Sequence, residues 1–174
     1  KGENNGDPDH ISGNIDTLTA QINSLSEQIR SDRMNPDLFL NRSKLYFSSG
    51  NFDEALADAK VAVRLDSARP DLNYNLAGIY FSQRKVKLAG DALEKCVRQD
   101  QKYIDAWLKL AEIYMLVGNH EKASEYLKKA LEIDPNRPLA FYMLGILFKE
   151  TGDTLRSIAS FQKAVEYNPG YFDA

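Results

Sequence analysis

The chain has 174 residues, 43% hydrophobic and 27% charged, a balance that suits one ordinary globular unit and argues against a membrane-embedded protein. Apolar runs such as 141–148 stay far below the roughly 18 residues of a spanning helix, so no transmembrane segment is expected. With a net charge of -3 and scattered Lys and Arg, the electrostatic footprint of a nucleic-acid binder is missing. The single Cys96 excludes an internal disulfide and any multi-cysteine metal site.

The opening residues, KGENNGDPDH, cannot bury enough apolar area to offset their ordering entropy, so 1–10 is expected to be a flexible tether. Such a tether resembles the segment that follows the lipid-bearing cysteine of bacterial lipoproteins, which would imply the cell envelope. That cysteine is absent here, and an ordinary terminus in the cytoplasm is the competing expectation.

Next, Ile11, Ile15, Leu18, Ile22, Leu25 and Ile29 alternate spacings of four and three, which predicts an amphipathic helix over 11–33. Ile15, Ile22 and Ile29 in one register, with Leu18 and Leu25 in the other, suit a parallel two-stranded coiled coil. The flanking Thr19, Gln21, Ser26 and Gln28 supply no ion pairs to select a partner. Two fates stay open: docking on the residues that follow, or self-association through the Ile11 to Ile29 seam.

From Pro36 onward the chain repeats itself. Setting WLKLAEIYMLVGNHEKASEYLKKALEIDP above FYMLGILFKETGDTLRSIASFQKAVEYNP pairs Trp107 with Phe141, Leu110 with Leu144, Ala111 with Gly145 and Tyr114 with Phe148, always 34 residues apart. The offset continues through Gly118 and Gly152, Ala123 and Ser157, Ala130 and Ala164, and Pro135 and Pro169, and two more copies lie upstream. Departures are local: Arg42 replaces a Leu, Asn73 the leading aromatic, Arg84 the turn Gly, and Ser67 and Gln101 the closing Pro.

Within one copy, Trp107, Leu110 and Tyr114 share one face of a helix, and Tyr126, Leu127, Ala130 and Leu131 share one face of the next. Gly118 supplies positive φ after the first helix and Pro135 stops the second. Each copy therefore reads as a helical hairpin whose small residues, such as Ala111 and Gly145, admit close approach. This pattern resembles the tetratricopeptide repeat over about 136 residues, with copies at 36–69, 70–103, 104–137 and 138–171 inside a domain of 34–171. Residues 172–174 read as the start of a further repeat. The resemblance implies an all-α fold: a right-handed solenoid whose first helices line a concave groove, preceded by the extra N-terminal helix. It also implies a non-catalytic protein-interaction scaffold.

The same resemblance puts Leu40, Lys44 and Phe47 of the first copy in that groove, with Tyr74 and Phe81 of the second, Leu108, Glu112 and Met115 of the third, and Tyr142, Ile146 and Lys149 of the fourth. Leu40, Tyr74, Leu108 and Tyr142 would form an apolar stripe. Chaperone-binding members clamp a terminal carboxylate with Lys, Asn and Arg. Here the matching positions are Leu40, Lys44, Asn75, Asp105 and Lys109, of which only Asn75 fits. An apolar or amphipathic peptide segment is thus the expected partner. Burying about 500 Å² at about 25 cal/mol/Å² would contribute on the order of 12 kcal/mol before association costs, leaving micromolar affinity. The alternative is a structural, self-assembling adaptor that acts through the N-terminal helix and a bare C-terminal end at Ile158, Val165 and Tyr167.

No catalytic, metal or cofactor site is expected. His120 follows a turn and opens a helix, Glu121 and Glu125 interleave with Lys122 and Lys129 on a solvated face, and Cys96 fills the small-residue slot of Ala62, Ala130 and Ala164. A test separates the two kinds of position. Glu125→Gln should change stability by no more than about 0.5 kcal/mol, whereas Leu110→Ala should cost about 2–5 kcal/mol in urea unfolding.

Overall fold

The computed structural model describes residues 8–172, with side chains over 17–170. Nine α-helices lie among the described residues: α1 (Pro8–Ser31), α2 (Pro36–Ser48), α3 (Phe52–Leu65), α4 (Pro70–Ser82), α5 (Val86–Gln99), α6 (Ile104–Leu116), α7 (His120–Ile133), α8 (Pro138–Glu150) and α9 (Thr154–Tyr167). A short 3-10 turn follows at Pro169–Phe172. The even-numbered helices from α2 onward each have 13 residues and begin at 34-residue intervals. Their partners α3, α5, α7 and α9 have 14 residues each and keep the same interval. Residues 1–7 of the expected tether lie outside the described residues, as do 173–174. Residues 8–10, expected in the tether, belong instead to α1, because Pro8 at its start loses no hydrogen bond in a first turn.

Local chemistry explains where the helices start. Pro36, Pro70 and Pro138 stand at the first helical position, where a missing N–H costs nothing. Asn35, Asn119 and Asp153 accept from the backbone N–H groups of Asp37, Lys122 and Arg156.

The helix ends are equally regular. After α6, Gly118 N–H donates to Met115 O at 3.0 Å and Asn119 N–H to Tyr114 O at 2.8 Å, a Schellman closure with Gly118 at φ 71. Gly50 (φ 78) and Gly152 (φ 79) close α2 and α8 in the same way. Arg84 takes that role after α4 at φ 58, with its N–H on Phe81 O at 2.9 Å and that of Lys85 on Tyr80 O at 2.9 Å. The turn survives the loss of glycine because the hydrogen bonds still form, at a steric cost borne by Arg84.

Two compact units divide the chain, 1–85 and 86–174. In the first, Phe39, Leu40, Ala62 and Leu72 form one buried cluster, against which Ile29 of α1 packs. Ala55, Leu56, Ala59, Leu76 and Ile79 form another. Arg42, where other copies carry Leu, reaches Asp58 of α3 with two bonds, Nε to Oδ2 at 2.7 Å and Nη2 to Oδ1 at 2.8 Å. Its Nη1 donates to Ser26 Oγ of α1 at 2.9 Å. The pair is largely withdrawn from solvent, with side chains 18% and 8% exposed, so one guanidinium ties three helices together. Hydrogen bonding to Asp58 holds the Arg42 pKa above its ordinary value against the opposing effect of burial. The Ile29 end of the apolar seam is therefore engaged within the chain, while the side chains of Ile11 and Ile15 lie outside the described residues.

In the second unit, Leu108, Ala111, Ala123, Leu127, Ala130, Ala140, Met143 and Leu147 make one core, with Trp107, Tyr114 and Tyr126 against it. Tyr126 stacks between Trp107 at 5.7 Å and Tyr114 at 5.3 Å, and its phenol is pushed up to about 12, chiefly by burial. Gly145 has a specific reason: a Cβ there would lie 2.5 Å from the Phe161 ring.

Arg84→Gly should relieve about 1–2 kcal/mol of left-handed strain and lose part of that gain to the freer unfolded chain. Equilibrium urea unfolding should show a net gain of about 0.5–1 kcal/mol. A loss of stability would show that the Arg84 side chain contributes more than its backbone costs.

Candidate interaction surface

The expected groove residues stand on the first helices, and the structure sorts them into two groups. In the first unit, α2 and α4 lie side by side, joined where Asn75 Nδ2 donates to Ser43 Oγ at 3.0 Å. Leu40 does not belong to an open face. It is 4% exposed, packed in the core with Phe39 and Leu72. Lys44 is exposed, Tyr74 and Phe81 are half-buried, and Phe47 is 38% exposed with its ring edge-on to Phe52 at 5.5 Å.

In the second unit, α6 and α8 are neighbours in the same manner. Leu108 is 4% exposed within a core that includes Ala111 and Met143, so it too is removed from the expected apolar stripe. The cause is common to both leucines: the neighbouring hairpin closes over a position that a single hairpin leaves open. Glu112 is half-buried and accepts from Lys109 Nζ at 2.7 Å. Met115 lies against the core, Ile146 is half-buried and Lys149 is exposed. Tyr142 is half-buried against Phe161 at a ring separation of 5.7 Å.

Among these residues, Phe47, Tyr74, Phe81 and Lys44 of one unit, and Met115, Tyr142, Ile146, Glu112 and Lys149 of the other, are at least partly accessible. These groups can hold an apolar side chain and orient it by charge. Of the residues set aside in the sequence, Cys96 is fully buried, Glu121 and Glu125 are exposed, and His120 Nδ1 lies 3.7 Å from Glu150 Oε2.

Sequence reasoning missed a set of ion pairs that position these helices. Arg69, just before α4, bridges Asp37 of α2 at 2.7 Å and Asp71 of its own helix at 2.7 Å. Two repeats later, Arg137 meets Asp105 of α6 at 2.6 Å. Hydrogen bonding to Arg69 holds the Asp71 carboxyl below its usual range. The shared Arg-Pro dipeptide at 69–70 and 137–138 was the available signal.

Three family models described as tetratricopeptide repeat match the chain, over residues 40–104, 80–147 and 139–171. The chain belongs to the tetratricopeptide-repeat family, and its fold class is the all-α helical-repeat solenoid. A crystal structure of MamA aligns with a TM-score of 0.81 at 25% identity, covering 94% of this chain and 96% of that one. MamA 41-end from Desulfovibrio magneticus RS-1 gives a TM-score of 0.79 at 19% identity, covering 97% and 99%. YrrB, described as a TPR protein with an unusual peptide-binding site, gives 0.72 at 23% identity, covering 84% and 76%. The last two likenesses show the fold alone. No curated protein matches the chain. Family and fold together define a protein-interaction scaffold. Among the described residues, no helix is long and apolar enough to cross a membrane.

Proposed function

We propose that the chain is a non-catalytic module that captures an apolar or amphipathic peptide segment on the accessible faces of its first helices. The observation that supports this reading is the recurrence of half-buried apolar side chains at first-helix positions. Tyr74, Phe81, Met115, Tyr142 and Ile146 are all partly open, and Lys44 of α2 and Lys149 of α8 are exposed. Partly open aromatic side chains lose little rotamer freedom on binding and supply large contact area, so a few of them can dominate affinity. With Leu40 and Leu108 withdrawn into the cores, less apolar area is available than the sequence implied, and micromolar affinity becomes an upper expectation. Peptide recognition by YrrB lends this reading support at the level of shared fold.

A second reading, a self-assembling adaptor, has its own observation. On α9, Leu155 is 84% exposed, Ile158 51%, Val165 39% and Tyr167 38%. Apolar side chains at this density on one helix are suited to a further helix or a second copy.

A panned peptide library distinguishes the two. Enriched sequences should be apolar or amphipathic, and their binding should fall at least tenfold in the Tyr74→Ser/Tyr142→Ser variant at unchanged helicity. Binding that survives this change but disappears in Ile158→Glu would replace the first reading by the second.

A further inference from the structure

The interval that relates the hairpins also identifies what α1 is. Its residues 18–31 stand one repeat before α3, at 52–65, and so occupy the place of a second helix. The junction agrees. Asp32 Oδ1 accepts from Met34 N–H at 3.2 Å, as Asp66 does from Ala68 at 3.1 Å, Asp100 from Lys102 at 2.9 Å and Asp134 from Asn136 at 3.1 Å. Yet α1 runs on as one continuous helix back to Pro8 instead of turning into a first helix of its own.

Where that first helix would pack there is a cleft of about 450 Å³ between α1 and α2, lined by Gln21, Ser24, Leu25, Asn41, Lys44 and Leu45. Each side of it is built from positions that hold a first helix elsewhere. Gln21 and Leu25 correspond to Ala123 and Leu127, which pack in one core with Ala111 of α6. Asn41 stands one repeat before Asn75, whose amide donates to Ser43 of the preceding first helix at 3.0 Å. It stands three repeats before Met143, which shares a core with Leu108 and Ala111 of the preceding first helix.

We propose that this cleft is an empty helix seat, and that it takes a short amphipathic helix from another molecule, antiparallel to α1. The repeats of the chain specify that helix. It has about 13 residues, the length of α2, α4, α6 and α8. It carries a small residue on its buried face, as Ala111 and Gly145 do, because a larger one would hold the helices apart. It also carries a carboxylate for Lys44, which is exposed and has no carboxylate partner among the described residues. This inference shares Lys44 with the peptide-capturing faces but rests on the cleft between α1 and α2 and on the repeat positions of Gln21, Leu25 and Asn41.

The probe is a capped, fluorescein-labelled peptide with the sequence of α6, IDAWLKLAEIYML, titrated with the full chain and followed by anisotropy. A control peptide carries Leu110→Glu and Ala111→Arg. The α6 peptide should bind at micromolar concentration and the control at least tenfold more weakly. In the protein, Leu25→Glu should weaken binding at least tenfold. So should Asn41→Arg, which alters an exposed side chain and keeps the test valid if Leu25→Glu fails to fold. Because the bare face of α9 is another place for such a helix, Ile158→Glu is measured alongside and should leave the affinity unchanged. No binding up to millimolar protein, or binding that Asn41→Arg does not weaken, would overturn the proposal.

Discussion

The distance between the two helices of one hairpin controls the rest of this molecule. Helices approach closely only where one of them offers a small side chain, and the chain places such residues at the same three positions in every copy. In the first these are Ser43, Ala55 and Ala62; in the third Ala111, Ala123 and Ala130; in the fourth Gly145, Ser157 and Ala164. Polar members of the set are satisfied across the contact, Ser43 Oγ donating to Ala55 O at 2.9 Å and Ser157 Oγ to Gly145 O at 2.8 Å. A fourth position adjusts to the first. Ala111 shares its core with Leu127, whereas the larger Phe161 is accommodated because Gly145 has no side chain at all. Volume is thus exchanged across the hairpin, as close packing demands.

Once that spacing is set, the surfaces follow. First-helix positions that the packing covers only in part follow from it, and Tyr74, Phe81, Tyr142 and Ile146 are half-buried. Arg69 and Arg137, each bonded to an Asp of the preceding first helix, hold neighbouring first helices in register beside them. The same logic applies to the cleft at α1, a helix that stands in the place of a second helix and runs on unbroken to Pro8. In the proposed reading, function follows from which packing positions are left unfilled, and none of it requires a reacting group.

The 34-residue period and the glycine turns were legible in the sequence because each repeats a steric demand: a left-handed residue after the first helix and a small residue at each close contact. Arg84 was visible as a departure. That its backbone would still adopt positive φ was not, since this depends on two hydrogen bonds from the following turn. Leu40 and Leu108 were misplaced for a similar reason. A single copy shows which residues its own hairpin needs and cannot show what the next hairpin covers, so both leucines read as open floor although each is buried. Arg42 was recognised as foreign to its position, but its partners, Asp58 and Ser26, lie 16 residues away in opposite directions and on different helices. No local periodicity connects them.

The claim that hairpin spacing governs the fold is tested most directly by a double-mutant cycle at its tightest contact. Gly145→Ala places a methyl group 2.5 Å from the Phe161 ring and should cost about 1–3 kcal/mol by overpacking, despite the better helix propensity of alanine. Combining it with Phe161→Leu recreates the Ala–Leu pair of the third copy. Urea unfolding of the four proteins should then give a coupling of at least about 1 kcal/mol in favour of the double variant. Additive costs, with Gly145→Ala equally harmful beside either Phe or Leu, would contradict the account.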